Sequence, residues 1–329
     1  MRRFFILLGL LVLLVVLAQD ETDTSETDTS SEQTTEETAS EQSPEEKRII
    51  RIQFDGGTEE GDFRFGPLTY THPDPEGIVG TVSNLTIYSQ NAVLSGPEGE
   101  DIPLADAEGR RNAVFSGGLR VTRNRLEAKG PDLSYSEETG IGTMTGNVDI
   151  VVAPEEEDDD PVSITAETAD FDVDTDVSVS KGNVDLANGN QTATANEVTY
   201  EEDRDLGKLV SEGAQVTMNR TDDEGETTTI TADVIYVLTD VKKIHALGNV
   251  TVVDGSITST GDEVFFDDET SRAEVIGIEQ DATAVDEDEG VTLTGERIEQ
   301  RTDTDAISLL TTPSEFNADD FKLTTELEQ

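Results

Sequence analysis

The sequence predicts an all-β protein built from repeated two-strand antiparallel units. A Gly-Asn-Val tripeptide heads three similar strands: GNVDIVV at Gly146-Asn147-Val148, GNVDLAN at Gly182-Asn183-Val184 and GNVTVVD at Gly248-Asn249-Val250. Gly213-Ala214-Gln215-Val216 is a looser copy. One tripeptide means little, but its return ahead of the same alternation is the mark of repeat architecture. Val, Ile, Thr and Tyr alternate with polar residues at period two between Lys47 and Leu310, and no stretch there sustains a helical period. Aromatic residues make up 5% of the chain, hydrophobic residues 34%, and there is no Trp. That supply suits a thin sheet with one apolar face better than a deep, layered core.

Met1–Ala18 has Arg2 and Arg3 before an uninterrupted apolar run, Phe4–Leu17, and ends in Val16-Leu17-Ala18. This pattern predicts a signal peptide cleaved after Ala18 and an exported, periplasmic or envelope-located protein, with an uncleaved N-terminal membrane anchor as the alternative. Residues 19–46 are rich in Ser, Thr, Glu and Asp and nearly devoid of apolar side chains. They cannot bury enough surface to offset their ordering entropy, so an acidic disordered linker is expected. The folded part is expected over 47–310, either as one body or as two stacked modules, 47–125 and 126–310. Residues 311–329 form a tail whose Phe316, Phe321, Leu323 and Leu327 suit a last strand, a short helix or a frayed end.

Within the folded part the chain opens on KRIIRIQF, a first strand at Lys47–Phe54. A unit then repeats, with apolar or small residues at relative positions 0, 2, 7 and 9 of its first strand. It reads Val79, Thr81, Thr86, Tyr88, then Leu126, Ala128, Leu133, Tyr135, then Ile164, Ala166, Phe171, Val173. It continues as Gln191, Ala193, Val198, Tyr200, then Ile257, Ser259, Val264, Phe266, and last Val291, Leu293, Ile298, Gln300. ITADVIYV at Ile230–Val237 is a shortened copy. The odd step from position 2 to position 7 would send the two pairs to opposite faces of a straight strand. A bulge or kink is therefore expected near Gly130-Pro131, Gly261 and Gly295.

The charge balance excludes some functions. Lys and Arg number 22 against 73 Asp and Glu, a formal charge of -51. Nucleic-acid binding rests on neutralising phosphates with bases, so it is not expected. The acidity reads equally as adaptation to high salt or as a functional surface. No Cys is present, which rules out disulfides, thiolate metal sites and Cys nucleophiles. Of the two His residues, His72 has no evident partner, and His245 is expected on a strand surface beside Lys242 and Lys243. No phosphate loop, GxSxG or HExxH is found, so neither enzyme nor cofactor is expected. Asp170, Asp172, Asp174 and Asp176 alternate and would share one strand face, either a solvated face or a weak Ca²⁺ patch.

The apolar faces carry the functional reading. Leu133, Tyr135 and Phe171, with Val198 and Tyr200, would face one interior. Val234, Tyr236, Val250, Val264 and Phe266 extend the same set. These side chains either line an open groove for acyl chains, where each buried CH₂ is worth about 0.8 kcal/mol, or simply pack the core.

A Thr-Ala-rich strand ending in Val-x-Tyr, a polar turn and then Gly-Asn-Val resembles the OstA-like domain of lipopolysaccharide-transport proteins, the LptA/LptC type and the N-terminal domain of LptD. The clearest carriers are Ala193–Val216 and Ile230–Gly277. The resemblance implies an elongated antiparallel β-jellyroll, an open V-shaped stack that carries lipid. It implies a lipid or lipid-linked glycan as ligand and other OstA-like proteins as partners through edge-strand pairing, with head-to-tail self-association as a further possibility. It implies no catalytic residue. The chain departs from the family in its length, its acidic spacer and its extreme charge. The alternatives are a structural or adhesive envelope β-repeat protein, calcium-supported and without cargo, and a polysaccharide-acting parallel β-helix.

Overall fold

The computed structural model describes residues 48–156, 159–222, 224–312 and 316–327, so the expected signal peptide and acidic linker lie outside the described residues. The chain forms one sheet of 23 antiparallel strands, each paired mainly with its neighbours in sequence. The first six are short: β1 (Arg51–Phe54), β2 (Thr58–Gly61), β3 (Leu68–Thr71), β4 (Ile78–Val82), β5 (Leu85–Ser89) and β6 (Asn91–Ser95). Six long strands come next: β7 (Asn112–Arg123), β8 (Leu126–Ser136), β9 (Ile141–Val152), β10 (Val162–Asp172), β11 (Val177–Asn188) and β12 (Gln191–Glu201). After them run β13 (Leu206–Val210), β14 (Val216–Thr221), β15 (Thr227–Ala232), β16 (Val234–Leu238), β17 (Lys243–Asp254) and β18 (Ile257–Asp267). The last are β19 (Arg272–Ile276), β20 (Ala282–Asp286), β21 (Val291–Gly295), β22 (Arg297–Arg301) and β23 (Ala306–Leu309).

The short strands are halves of broken long ones. β12 pairs β13 along its second half and β14 along its first. β17 likewise pairs β16 and β15, and β18 pairs β19 and β20. Every rung of the stack is thus a strand bent or broken at its middle. The half-rungs on the side of β14, β15, β20 and β21 make the first arm, those on the side of β13, β16, β19 and β22 the second, and the bends form the spine where the arms meet. β7 and β8 pair directly across the Asn124-Arg125 turn, with one register shift between Ser116 and Leu119.

The bends explain the repeated tripeptide. Gly146 and Asn147 have φ of 88° and 63°, Gly182 and Asn183 of 80° and 45°, and Gly248 and Asn249 of 78° and 48°. Two successive left-handed residues are admissible because Gly lacks a Cβ and Asn tolerates that region better than other side chains. The ladder slips there: Lys181 faces Glu197 and Val184 faces Ala195, three residues on β11 against two on β12. β17 repeats this against β18, with Leu247 facing Glu263 and Val250 facing Gly261. The bulges expected near Gly130-Pro131 and Gly261 therefore exist, but the extra residue sits on the Gly-Asn strand. At Gly295 the ladder does not slip, and the chain instead breaks there between β21 and β22. Gly130 and Gly261 lie on the partner strands. A carboxylate on the neighbouring rung fastens two of the bends, since Glu167 accepts from Asn183 Nδ2 at 2.5 Å and Asp233 accepts from Asn249 Nδ2 at 2.8 Å.

The slip reverses the inward parity at mid-strand. On β10, Ile164 and Ala166 point inward before it, and Ala169 and Phe171 after it. The 0, 2, 7, 9 pattern holds in the units that start at Leu126, Ile164, Gln191 and Ile257, where all four positions are buried. It is one residue out of phase in the first unit. There Ile78, Val82, Leu85 and Ile87 are buried, while Val79, Thr81, Thr86 and Tyr88 are half-buried. The polar Ser83-Asn84 turn shortens this unit and shifts its phase.

Candidate functional site

The two arms enclose one continuous apolar interior that runs from Ile50 to Ile298. Leu133, Tyr135, Phe171, Val198 and Tyr200 lie in it, each no more than 2% exposed, and so do Val250, Val264 and Phe266. The structure buries these eight in one continuous core, spread from β8 to β18. A partly open hollow beside Val152, Val162, Asn188 and Thr239, lined also by Arg125, Asp160 and Lys242, measures about 40 Å³, too small for an acyl chain.

Val234 and Tyr236 are placed elsewhere. In the shortened copy the chain breaks at Asp233, and the residues that then face inward are Ile235 and Val237. Val234 and Tyr236 point to the outer face of the second arm, where they join Leu206, Phe265, Ile276, Phe321 and Leu323 in a separate apolar cluster. His245 lies there too. It is 4% exposed, stacked on Phe265 at 4.3 Å between ring centroids, with Nε2 2.6 Å from Glu263 Oε1. The expected surface position is thus wrong, because the C-terminal tail covers this face.

The far ends of the two arms form a pair of lips, and the interior is closed where they meet. One lip consists of residues 48–50, the Ser83-Asn84 and Asn124-Arg125 turns, residues 153–156 and 159–161 between β9 and β10, and the Gly189-Asn190 turn. The other consists of Glu137–Gly140, Val173–Asp176, the 3-10 turn Glu202–Arg204 with Asp205, Thr239–Lys242 and Asp268–Ser271. The contacts across them are polar. The Ile50 N–H donates to Glu137 Oε1 at 2.9 Å, and Arg48 Nε donates to Asp174 at 2.9 Å. Asn84 Nδ2 donates to Asp176 at 3.0 Å. The guanidinium of Arg123, fully buried, donates to the Asp172 carbonyl at 2.8 Å and to Glu202 Oε1. Arg125 reaches Asp205 at 2.9 Å. Further along, Asn188 Nδ2 donates to the Thr239 carbonyl at 3.2 Å, and Lys242 meets Asp160 at 2.9 Å. Gln191 and Arg220 both donate to Asp268, at 3.1 and 2.5 Å.

Two inner tyrosines reach this seam from below. Tyr135 Oη donates to the Arg48 carbonyl at 2.7 Å, and Tyr200 Oη donates to Asp205 at 3.0 Å. Burial pushes both phenols well above the ordinary tyrosine range. Their rings belong to the interior and their hydroxyls to the lip, which is how a buried Tyr meets both demands. Burial likewise raises the Glu202 carboxyl despite its pairing with Arg123, and its Oε2 has no hydrogen-bond partner among the described residues. The pairs of this seam are separated by tens of residues in sequence, and no sequence pattern marked them.

The four aspartates do not share a strand face. β10 ends at Asp172, so the alternation runs into a turn. Asp170 accepts from Thr143 at 2.7 Å, Asp172 from the Asp174 N–H at 2.8 Å, Asp174 from Arg48 at 2.9 Å and Asp176 from Asn84 at 3.0 Å. Among the described residues no three acidic or His side chains are grouped to hold a metal ion.

Comparison with known proteins places part of this chain. Residues 163–272 match the family model described as LptA/(LptD N-terminal domain) LPS transport protein. No curated protein matches. Among solved structures, LptH of Pseudomonas aeruginosa is described as the LptA-homologous periplasmic component of the lipopolysaccharide transport device. It is 14% identical, over 47% of this chain and 96% of its own, at a TM-score of 0.30.

Proposed function

We infer function from one premise: the chain carries an OstA-like lipopolysaccharide-transport domain at residues 163–272. It is an exported protein of the periplasm or envelope that carries or bridges a lipid of the lipopolysaccharide class toward the outer membrane. The observation that supports this reading most is the construction of the interior. It is apolar along the whole stack, yet its two lips meet through side-chain hydrogen bonds and ion pairs and not through a strand ladder. Such a seam can part without unpairing any rung. An acyl chain of about a dozen carbons entering there would gain about 10 kcal/mol before entropic costs, at roughly 0.8 kcal/mol per CH₂.

Transfer to a neighbour would use the two ends of the stack. β1 and β2 bond only inward, to β4 and β3. At the other end β23 pairs β22 and β21 pairs β20. Strand addition at such edges builds a continuous conduit from copies or from related proteins.

The filled interior favours a second reading, a structural envelope β-repeat protein without cargo. Organic extraction of the protein purified from its native envelope, followed by mass spectrometry, separates the two. Acylated lipid near one per chain is the expected result. Lipid-free protein whose melting is also unmoved by added lipopolysaccharide would leave the structural reading.

A further inference from the structure

The outer face of the second arm is closed by the end of the chain. Phe316 stacks on Phe265 with centroids 5.1 Å apart, and Phe321 packs 5.3 Å from the His245 ring. The backbone between them makes a 3-10 turn, Ala318–Phe321, and a short helix comes after it at Thr324–Leu327. The segment thus runs back across the outer face from β18 toward β13. Its far end is held by polar contacts. Glu326 lies 2.5 Å from Lys208 Nζ and accepts from Tyr236 Oη at 3.1 Å.

The same far end reaches the lip. Arg204 donates to the carbonyls of Lys322 and Asp320, at 2.5 and 3.0 Å. The Thr324 N–H donates to Glu201 Oε1 at 2.7 Å. Glu201 and Arg204 bracket Glu202, whose carboxylate reaches through the seam to Arg123, and Asp205 next to them holds Arg125. This one turn is therefore gripped from inside by two arginines of the opposite lip and from outside by the chain terminus.

We infer that Phe316–Leu327 is a strap that holds the Glu201–Asp205 lip shut and so governs access to the interior. The inference rests on the interior being a cargo site. A partner that displaces the strap from the aromatic face frees the outer side of the turn, and the arginine contacts alone then keep the seam closed. The first ring of the strap, Phe316, sits on β18, three strands in from β23 at the stack end proposed for docking, and the strap spans from there to the lip between β12 and β13.

A single thiol tests the strap directly, because the chain has no Cys. Ser178 is 1% exposed, its Oγ has no hydrogen-bond partner among the described residues, and it lies opposite Tyr200 just inside this lip. Ser178→Cys is close to isosteric there. Ser259, fully buried on β18 with an equally unpartnered Oγ, provides a control thiol by Ser259→Cys away from the lip. Alkylation by N-ethylmaleimide, followed by mass spectrometry, is compared in the full chain, in a chain ending at Leu310 and in Arg204→Gln. Labelling at position 178 is expected to rise at least tenfold in both strap variants, with position 259 changing less than twofold. Unchanged labelling at 178, or equal acceleration at both positions, overturns the strap. If the shortened chain does not fold, Arg204→Gln, which leaves the aromatic face covered, decides alone. Adding myristate to the unstrapped protein then tests the cargo premise separately. Protection of the thiol at 178 supports it, whereas fast labelling without protection leaves the strap standing and removes the cargo.

Discussion

Two apolar clusters share the second arm and differ in kind. The inner one is aliphatic, with rings such as Phe171 and Phe266 set singly among Val, Leu, Ile and Ala. The outer one is aromatic and layered: apart from Phe54 against Tyr70, every ring-to-ring contact among the described residues falls in it, with His245 at its centre. Aliphatic packing has no preferred orientation, so other methylenes can replace it at little penalty in geometry. Stacked rings with fixed hydrogen bonds recognise one arrangement. The inside of the arm is suited to being refilled, and the outside to holding one particular segment.

The comparison breaks first at the seam. Arg123→Met leaves Glu202 buried without its cation and should cost about 3–5 kcal/mol in urea unfolding, whereas Arg123→Met with Glu202→Leu should recover most of that loss. If the single change is harmless, the seam is not what closes the interior. A smaller loss, about 2 kcal/mol, is expected for Phe321→Ala, which removes one buried ring from the outer cluster alone. It should appear as faster amide exchange over residues 202–206 with the bend at Asn147 unchanged.

The smallest effect concerns acid. Burial would raise the Glu326 carboxyl, but the Lys208 ammonium and the Leu323 N–H outweigh it and hold the group below the ordinary glutamate range. A carboxyl depressed in the folded state stabilises above its unfolded value, and the contribution is lost as pH falls through the folded value. The strap should therefore loosen as pH falls below the ordinary glutamate range, by less than about 1 kcal/mol for a partly exposed pair. Exchange of the Leu323 and Thr324 amides measured against pH tests this, and Glu326→Gln should flatten the dependence.

The sequence made the rungs legible and the closures illegible, for a physical reason. Strand periodicity and Gly-Asn bends are local rules, so Leu126, Ile164, Gln191 and Ile257 all open units in the correct phase. Where the chain broke the unit, the same letters changed face. Val198 and Tyr200 of Val-x-Tyr point inward, while Val234 and Tyr236 of the same motif point outward, because the break at Asp233 changes the parity of the strand after it. The seam and the strap join residues far apart in sequence, such as Arg123 with Glu202 and Arg204 with Lys322, and no local pattern marks them. His245 looked exposed because its lid, Phe316 and Phe321, lies some seventy residues further along the chain.

The Gly-Asn bends have a consequence for length. Each is made by the backbone of its own rung, fastened in two cases by one side chain of the neighbouring rung, and it asks nothing of rungs further off. A unit can therefore be copied or deleted by recombination without disturbing the remainder, and each such event changes the reach of the body by two strand spacings, about 9.5 Å. The protein is in this sense a ruler whose graduations are heritable. Its extent can be matched to whatever gap it has to cross by changing the number of units, with the pattern within each unit left as it is.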